Sequence, residues 1–105
     1  MNVTVVSPNN ATITCVADGV PAPNITWFRD FNGLMEIPEL VEETIDSTNV
    51  TVLKVTQTQM DRTTTSTIEF FFTQPPYAAE YTCRASNLLG TIEQVAVLTV
   101  QGKGG

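Results

Sequence analysis

Residues 11–17 alternate without a break. Ala11, Ile13, Cys15 and Ala17 share one parity, and Thr12, Thr14 and Val16 the other. A β-strand points successive side chains to opposite faces, so this segment predicts a half-buried strand with Cys15 on its core side. The same period returns over Asn24–Arg29, with Ile25 and Trp27 inward and Thr26 and Phe28 outward. It returns again over Tyr81–Ala85, with Tyr81, Cys83 and Ala85 inward and Thr82 and Arg84 outward. Asn2–Val6 predicts a first strand and Thr91–Val100 a last one. Thr51–Gln59 and Thr64–Phe72 predict a long hairpin around Met60-Asp61-Arg62. Turn residues separate these runs at Ser7–Asn10, Asp18–Pro23, Asp30–Gly33 and Asn87–Gly90. Many short strands between regular turn signals predict an all-β sandwich or barrel.

Two stretches resist this pattern. Leu34–Asp46 carries five acids, Glu36, Glu39, Glu42, Glu43 and Asp46, and no base. It reads as a solvated edge, with an electrostatic patch for a basic partner as the sharper alternative. Phe70, Phe71 and Phe72 cannot all share one face of a strand. Ile68 and Phe70 are expected inward, and one of the other two to cap the core where Gln74-Pro75-Pro76 opens a crossing.

Composition narrows the class. A chain of 105 residues with 42% hydrophobic content suits one folded domain, expected over 1–101 with 102–105 as a linker or tail. Met1 before a strand and the glycine-rich end read as the limits of a module from a longer protein. The net charge is −6, with five basic residues in all. Nucleic acid and anionic membrane are therefore poor partners. No apolar run approaches the roughly 20 residues of a membrane span, so this segment is not expected to insert.

Three landmarks stand at Cys15, Trp27 and Cys83, with Tyr81 two places before the second cysteine. Gly19-Val20-Pro21-Ala22-Pro23-Asn24-Ile25-Thr26-Trp27 leads into one strand. Tyr81-Thr82-Cys83-Arg84-Ala85-Ser86-Asn87-Leu88-Leu89-Gly90 forms another and its turn, and Ala96-x-Leu98-x-Val100 ends the chain's pattern. These segments resemble the immunoglobulin superfamily, specifically its I-set. The resemblance implies a Greek-key sandwich of two antiparallel sheets. It implies one inter-sheet disulfide, Cys15–Cys83, with Trp27 packed on it and Tyr81 as a tyrosine corner. Ile13, Ile25, Ile68, Phe70 and Leu98 complete the expected core. A metal or redox role for the cysteines is the alternative, but two Cys without His fall short of the four ligands of structural zinc.

Two departures qualify the resemblance. Members usually carry Asp four residues before the corner tyrosine, where this chain has Tyr77. The crossing must then be braced otherwise, with Tyr77 and the two prolines as candidates. Residues 31–66 are longer than a lean I-set domain needs. The surplus is expected either as C′/C″ edge strands of V-set type or as a long D–E hairpin, with I-set favoured.

Catalysis is not expected. The chain has no His, so the Ser-His-Asp arrangement is excluded. No Gly-rich phosphate loop is present, and the acids at 36–46 lack calcium-loop spacing. No cofactor or metal is expected. Four Asn-x-Thr sequons occur, at Asn2, Asn10, Asn24 and Asn49. Chance in a chain of this composition gives about 1.4. With the disulfide they favour an oxidising, extracellular, cell-surface setting. Phe28, Arg84, Val95 and Val97 should share one outward face, an aromatic and two aliphatics around an arginine, which is the composition of an interface core. Leu88 and Leu89, at a hairpin tip, are the second candidate contact. The expected function is protein recognition by an adhesion or receptor ectodomain, homophilic or heterophilic, beside adjacent domains of its parent chain. A structural module of a muscle or cytoskeletal protein and a passive ectodomain spacer are the alternatives.

Overall fold

The computed structural model describes residues 2–7, 9–30, 34–71, 73 and 75–102. Nine strands are seen among them: β1 (Asn2–Val6), β2 (Ala11–Asp18), β3 (Asn24–Asp30), β4 (Leu34–Glu36), β5 (Leu40–Ile45), β6 (Thr48–Met60), β7 (Thr63–Phe70), β8 (Ala79–Asn87) and β9 (Gly90–Gln101). They form a five-stranded sheet, β1-β9-β8-β3-β4, and a four-stranded sheet, β2-β7-β6-β5. β1 runs parallel to β9, and the other pairs are antiparallel. The fold is an immunoglobulin-like β-sandwich.

The binary pattern explains the core. Alternate residues of β2 are buried, and every second residue of β7 from Thr64 to Phe70 is fully enclosed. Ile13, Ile25, Trp27, Ile68, Phe70, Tyr81 and Leu98 meet between the sheets. The Cys15–Cys83 disulfide ties β2 to β8, hence one sheet to the other. Trp27 is the cross-strand neighbour of Cys83. Its indole N–H donates to Ser66 Oγ at 2.8 Å, a second link between the sheets. Phe70 meets the Tyr81 ring edge-on, with centroids 5.2 Å apart.

Residues 34–48 take neither expected arrangement in full. β4 extends the sheet of β3 for three residues, as a C′ strand does. β5 instead crosses to the other sheet and pairs with β6. There is thus no second edge strand of V-set type beside β4 among the described residues. The β6–β7 hairpin exists, but β6 starts at Thr48 rather than Thr51 because it also has β5 as a partner. β7 ends at Phe70, short of Phe72; Phe71 leaves the strand and its N–H donates to the Val52 carbonyl. Phe72, Gln74 and the 103–105 end lie outside the described residues.

A 3-10 turn at Pro75–Tyr77 carries the crossing from β7 to β8. Three hydrogen bonds brace it without the usual aspartate. Tyr81 Oη donates to the Tyr77 carbonyl at 2.6 Å. The Arg29 guanidinium donates to the Pro76 carbonyl. Tyr77 Oη donates to the Glu43 carboxylate at 2.8 Å, pinning the turn to β5.

Candidate functional site

The outward face of the five-stranded sheet is built by register. Phe28, Thr82 and Val95 form one row across β3, β8 and β9, and Glu36 of β4 continues it. Asp30, Glu80 and Val97 form the next row, and Asn2 of β1 lies beside Val97. Thr26, Arg84 and Glu93 form the row on the other side of Phe28.

Arg84 is held at the centre by two neighbours. Its guanidinium lies over the Phe28 ring, 4.3 Å from the centroid. Its Nε donates to Glu93 Oε2 at 2.7 Å. The two side chains are 38% and 45% exposed, so the ion pair contributes at most about 1 kcal/mol of stability. Stacking of a cation on an exposed aromatic ring adds about 0.5–1 kcal/mol. Their larger effect is positional: stacking and pairing together pre-orient the guanidinium. Thr82 points outward yet is only 8% exposed, flanked in register by Phe28 and Val95. Val95 itself is 49% exposed. The face is thus an apolar centre with one fixed cation and an exposed acidic rim of Asp30, Glu36 and Glu80.

The structure brings Phe28, Arg84, Val95 and Val97 together and leaves Leu88 and Leu89 elsewhere. Those two tip the β8–β9 turn and are almost wholly exposed. The tip is rigidly set. Asn87 Oδ1 accepts from the Leu89 N–H at 2.8 Å, and Asn87 Nδ2 donates to the Pro21 carbonyl at 2.9 Å. Exposed Val20 lies in the β2–β3 loop and exposed Met60 ends β6 nearby, where the Gly19 N–H donates to the Arg62 carbonyl. Glu93 was not singled out from the sequence. Folding the hairpin about Asn87 and Gly90 would have found it, since Arg84 stands three residues before the one and Glu93 three after the other.

The remaining candidates are spread out. Asn2, Asn10, Asn24 and Asn49 are all exposed. Asn49 Oδ1 accepts from Thr44 Oγ1 at 3.0 Å. The five acids of 36–46 are exposed and lie along β4, the link to β5, β5 itself and the turn that follows. No group of three His, Cys, Asp or Glu able to hold a metal occurs among the described residues. No described helix is long and apolar enough to cross a membrane.

A model of the family described as "Immunoglobulin domain" matches residues 1–87. The chain belongs to the immunoglobulin domain family. Among curated proteins, this immunoglobulin domain is 32% identical over 93 residues to Vascular endothelial growth factor receptor 1 of Mus musculus, covering 89% of this chain and 6% of that protein. It is 32% identical over 89 residues to Hemicentin-1 of Homo sapiens, covering 85% of this chain and 1% of that protein. It is 31% identical over 92 residues to the Titin homolog of Caenorhabditis elegans, covering 87% of this chain. The chain therefore spans a small fraction of the relatives it matches. Among solved structures, the titin M3 domain superposes with a TM-score of 0.70 at 16% identity, over 95% of this chain and 88% of that one. That likeness concerns the fold.

Proposed function

We propose that this immunoglobulin domain is an extracellular recognition module of an adhesion or receptor protein, binding protein through the outer face of its five-stranded sheet. The observation that carries the reading is the Arg84 guanidinium, fixed on Phe28 and paired with Glu93, beside the exposed Val95 and, one row further, the half-buried Val97. Aromatic and arginine side chains with a polar rim are the residues on which binding energy concentrates. A second copy of the chain is a fitting partner. Besides Glu93, the face holds both a cation and three rim acids, so a two-fold pairing can set Arg84 of one copy against the acidic rim of the other. The disulfide and the four sequons support an oxidising compartment. The absence of His from the sequence supports binding rather than acid–base catalysis.

A second reading is favoured by the Titin homolog among the relatives. It makes the domain a structural module in a reducing compartment, with two free thiols. Intact mass of the natively isolated protein separates the two: an oxidised module is two hydrogens lighter than a reduced one.

Sedimentation velocity over a concentration series tests the face. The wild-type domain, produced free of glycans, is expected to dimerise with concentration. Phe28→Asp and Val97→Asp, checked for folding by circular dichroism, are expected to remain monomeric. Unchanged self-association in both folded variants would remove this face as the self-contact. A glycan-free wild-type chain that stays monomeric throughout would exclude the homophilic form.

A further inference from the structure

Two of the four sequons lie on the same outward face as Arg84. In the parallel β1–β9 pair Asn2 is the register partner of Val97. Val3 and Val5 pack inward, so Asn2 points the same way as Val97, one strand spacing of about 4.8 Å away. Asn24 is exposed at the start of β3, where Ile25 and Trp27 turn inward. It therefore points outward with Phe28, four residues along, at about 14 Å. Asn2 is thus at one edge of the face and Asn24 at one end, with Phe28, Arg84 and Val95 between them. Asn10, in the turn after β1, and Asn49, on the other sheet in β6, do not border it.

We propose that N-glycans on Asn2 and Asn24 fence this face, so that their occupancy decides whether a second protein can reach it. The modification is bulky and hydrophilic, and each glycan would leave its asparagine from the plane on which a partner must lie. A glycan on Asn2 would rise beside Val97, inside the patch that the recognition reading assigns to contact. The proposal rests on that reading for its consequence but not for its test.

The domain is secreted from a glycosylating host, and site mapping by mass spectrometry reads occupancy of each asparagine. Access to the face is read without any partner. Val95→Cys places a thiol at the centre, and Val16→Cys places a control thiol on the exposed face of the other sheet, in β2. Both are labelled with a small maleimide and with one carrying a long polyethylene glycol chain. Asn2 and Asn24 are expected to be occupied. The bulky reagent is then expected to label Val95→Cys roughly tenfold more slowly than in the same variant carrying Asn2→Gln and Asn24→Gln. Val16→Cys, and the small reagent at either site, should show no such difference. Empty asparagines, or equal bulky labelling with and without glycans, would overturn the fence. Should the glycan-free face label fast and the glycan-free wild-type domain still not self-associate, the fence stands and homophilic recognition fails.

Discussion

The indole N–H of Trp27 lies in the core and needs an acceptor there, because a buried donor left unpaired carries its full desolvation cost. Ser66 supplies it, and passes the link on by donating to the Thr56 carbonyl at 3.2 Å. Ser66→Ala should therefore cost about 1–3 kcal/mol of unfolding free energy, read from chemical denaturation. A loss under half a kcal/mol would mean another acceptor takes over. The two tyrosines give a second residue-scale prediction. Burial pushes Tyr77 up to about 12, helped by its hydrogen bond and charge repulsion from Glu43 and Tyr81 against a smaller opposing effect of Arg29. Burial also pushes Tyr81 up to about 12, with Arg29 opposing. Unfolded tyrosine ionises near 10. Between these values the unfolded chain holds fewer protons than the folded one. Stability from these groups is thus full below about pH 10 and falls as pH rises toward 12. No other tyrosine is present. Spectrophotometric titration of the folded domain should accordingly show little tyrosinate at pH 10, where a free phenol is half ionised. Parity in the sequence placed Ser66 on the same side as Ile68 and Phe70, yet it could not name the indole as the partner. Alternation gives the face of a side chain, and only the packed sandwich gives its neighbour.

At the scale of elements, β5 and its turn are where the sequence was least legible. β5 is an edge strand with mostly exposed residues, so no buried face imposes alternation on it. Its register also shifts between Val41 and Glu42. The two-residue turn to β6 is Asp46-Ser47, with φ of 50° and 66°. Positive φ at both positions is the geometry of the tight hairpin turns that favour Asn-Gly, and its usual residue signal is missing here. Ser47→Gly is expected to stabilise the domain by about 0.5–1 kcal/mol by relieving a left-handed serine. A lower melting temperature would show that Ser47 makes a contact worth more than that relief. The strands β2, β3, β7 and β8, each with an alternating inward face, were readable because one side of each is buried. The β7–β8 crossing was half readable: the absent aspartate was visible, and so was Tyr77 as a substitute. The roles of Arg29 and Glu43 were not, because they come from β3 and β5, far away in sequence.

For the whole molecule, the disulfide closes a loop with a sequence separation of 68 residues between the two sheets. In the chain-entropy model such a closure contributes roughly 4 kcal/mol. Replacing both cysteines by alanine should therefore remove about 2–5 kcal/mol, a large part of what a small domain has. Denaturation of the double variant against the oxidised wild type reads this directly. The sandwich was legible from two cysteines, a tryptophan and a tyrosine because these residues are tied to the core. The proposed binding face was legible only as a parity set, since nothing inside the domain constrains what lies outside it. Its sharper features, the stacked Arg84 and the two bordering sequons, needed the register of β1, β3, β8 and β9.

The central claim is that this face recognises protein, a second copy included. Backbone amide spectra of the isotope-labelled, glycan-free domain over a dilution series test it residue by residue. The account predicts concentration-dependent shifts at Phe28, Thr82, Arg84 and Val95, with Thr58 and Thr65 on the opposite sheet unmoved. Absence of shifts at any concentration would exclude the second copy as partner, and shifts confined to Leu88 and Leu89 would contradict the assignment of this face.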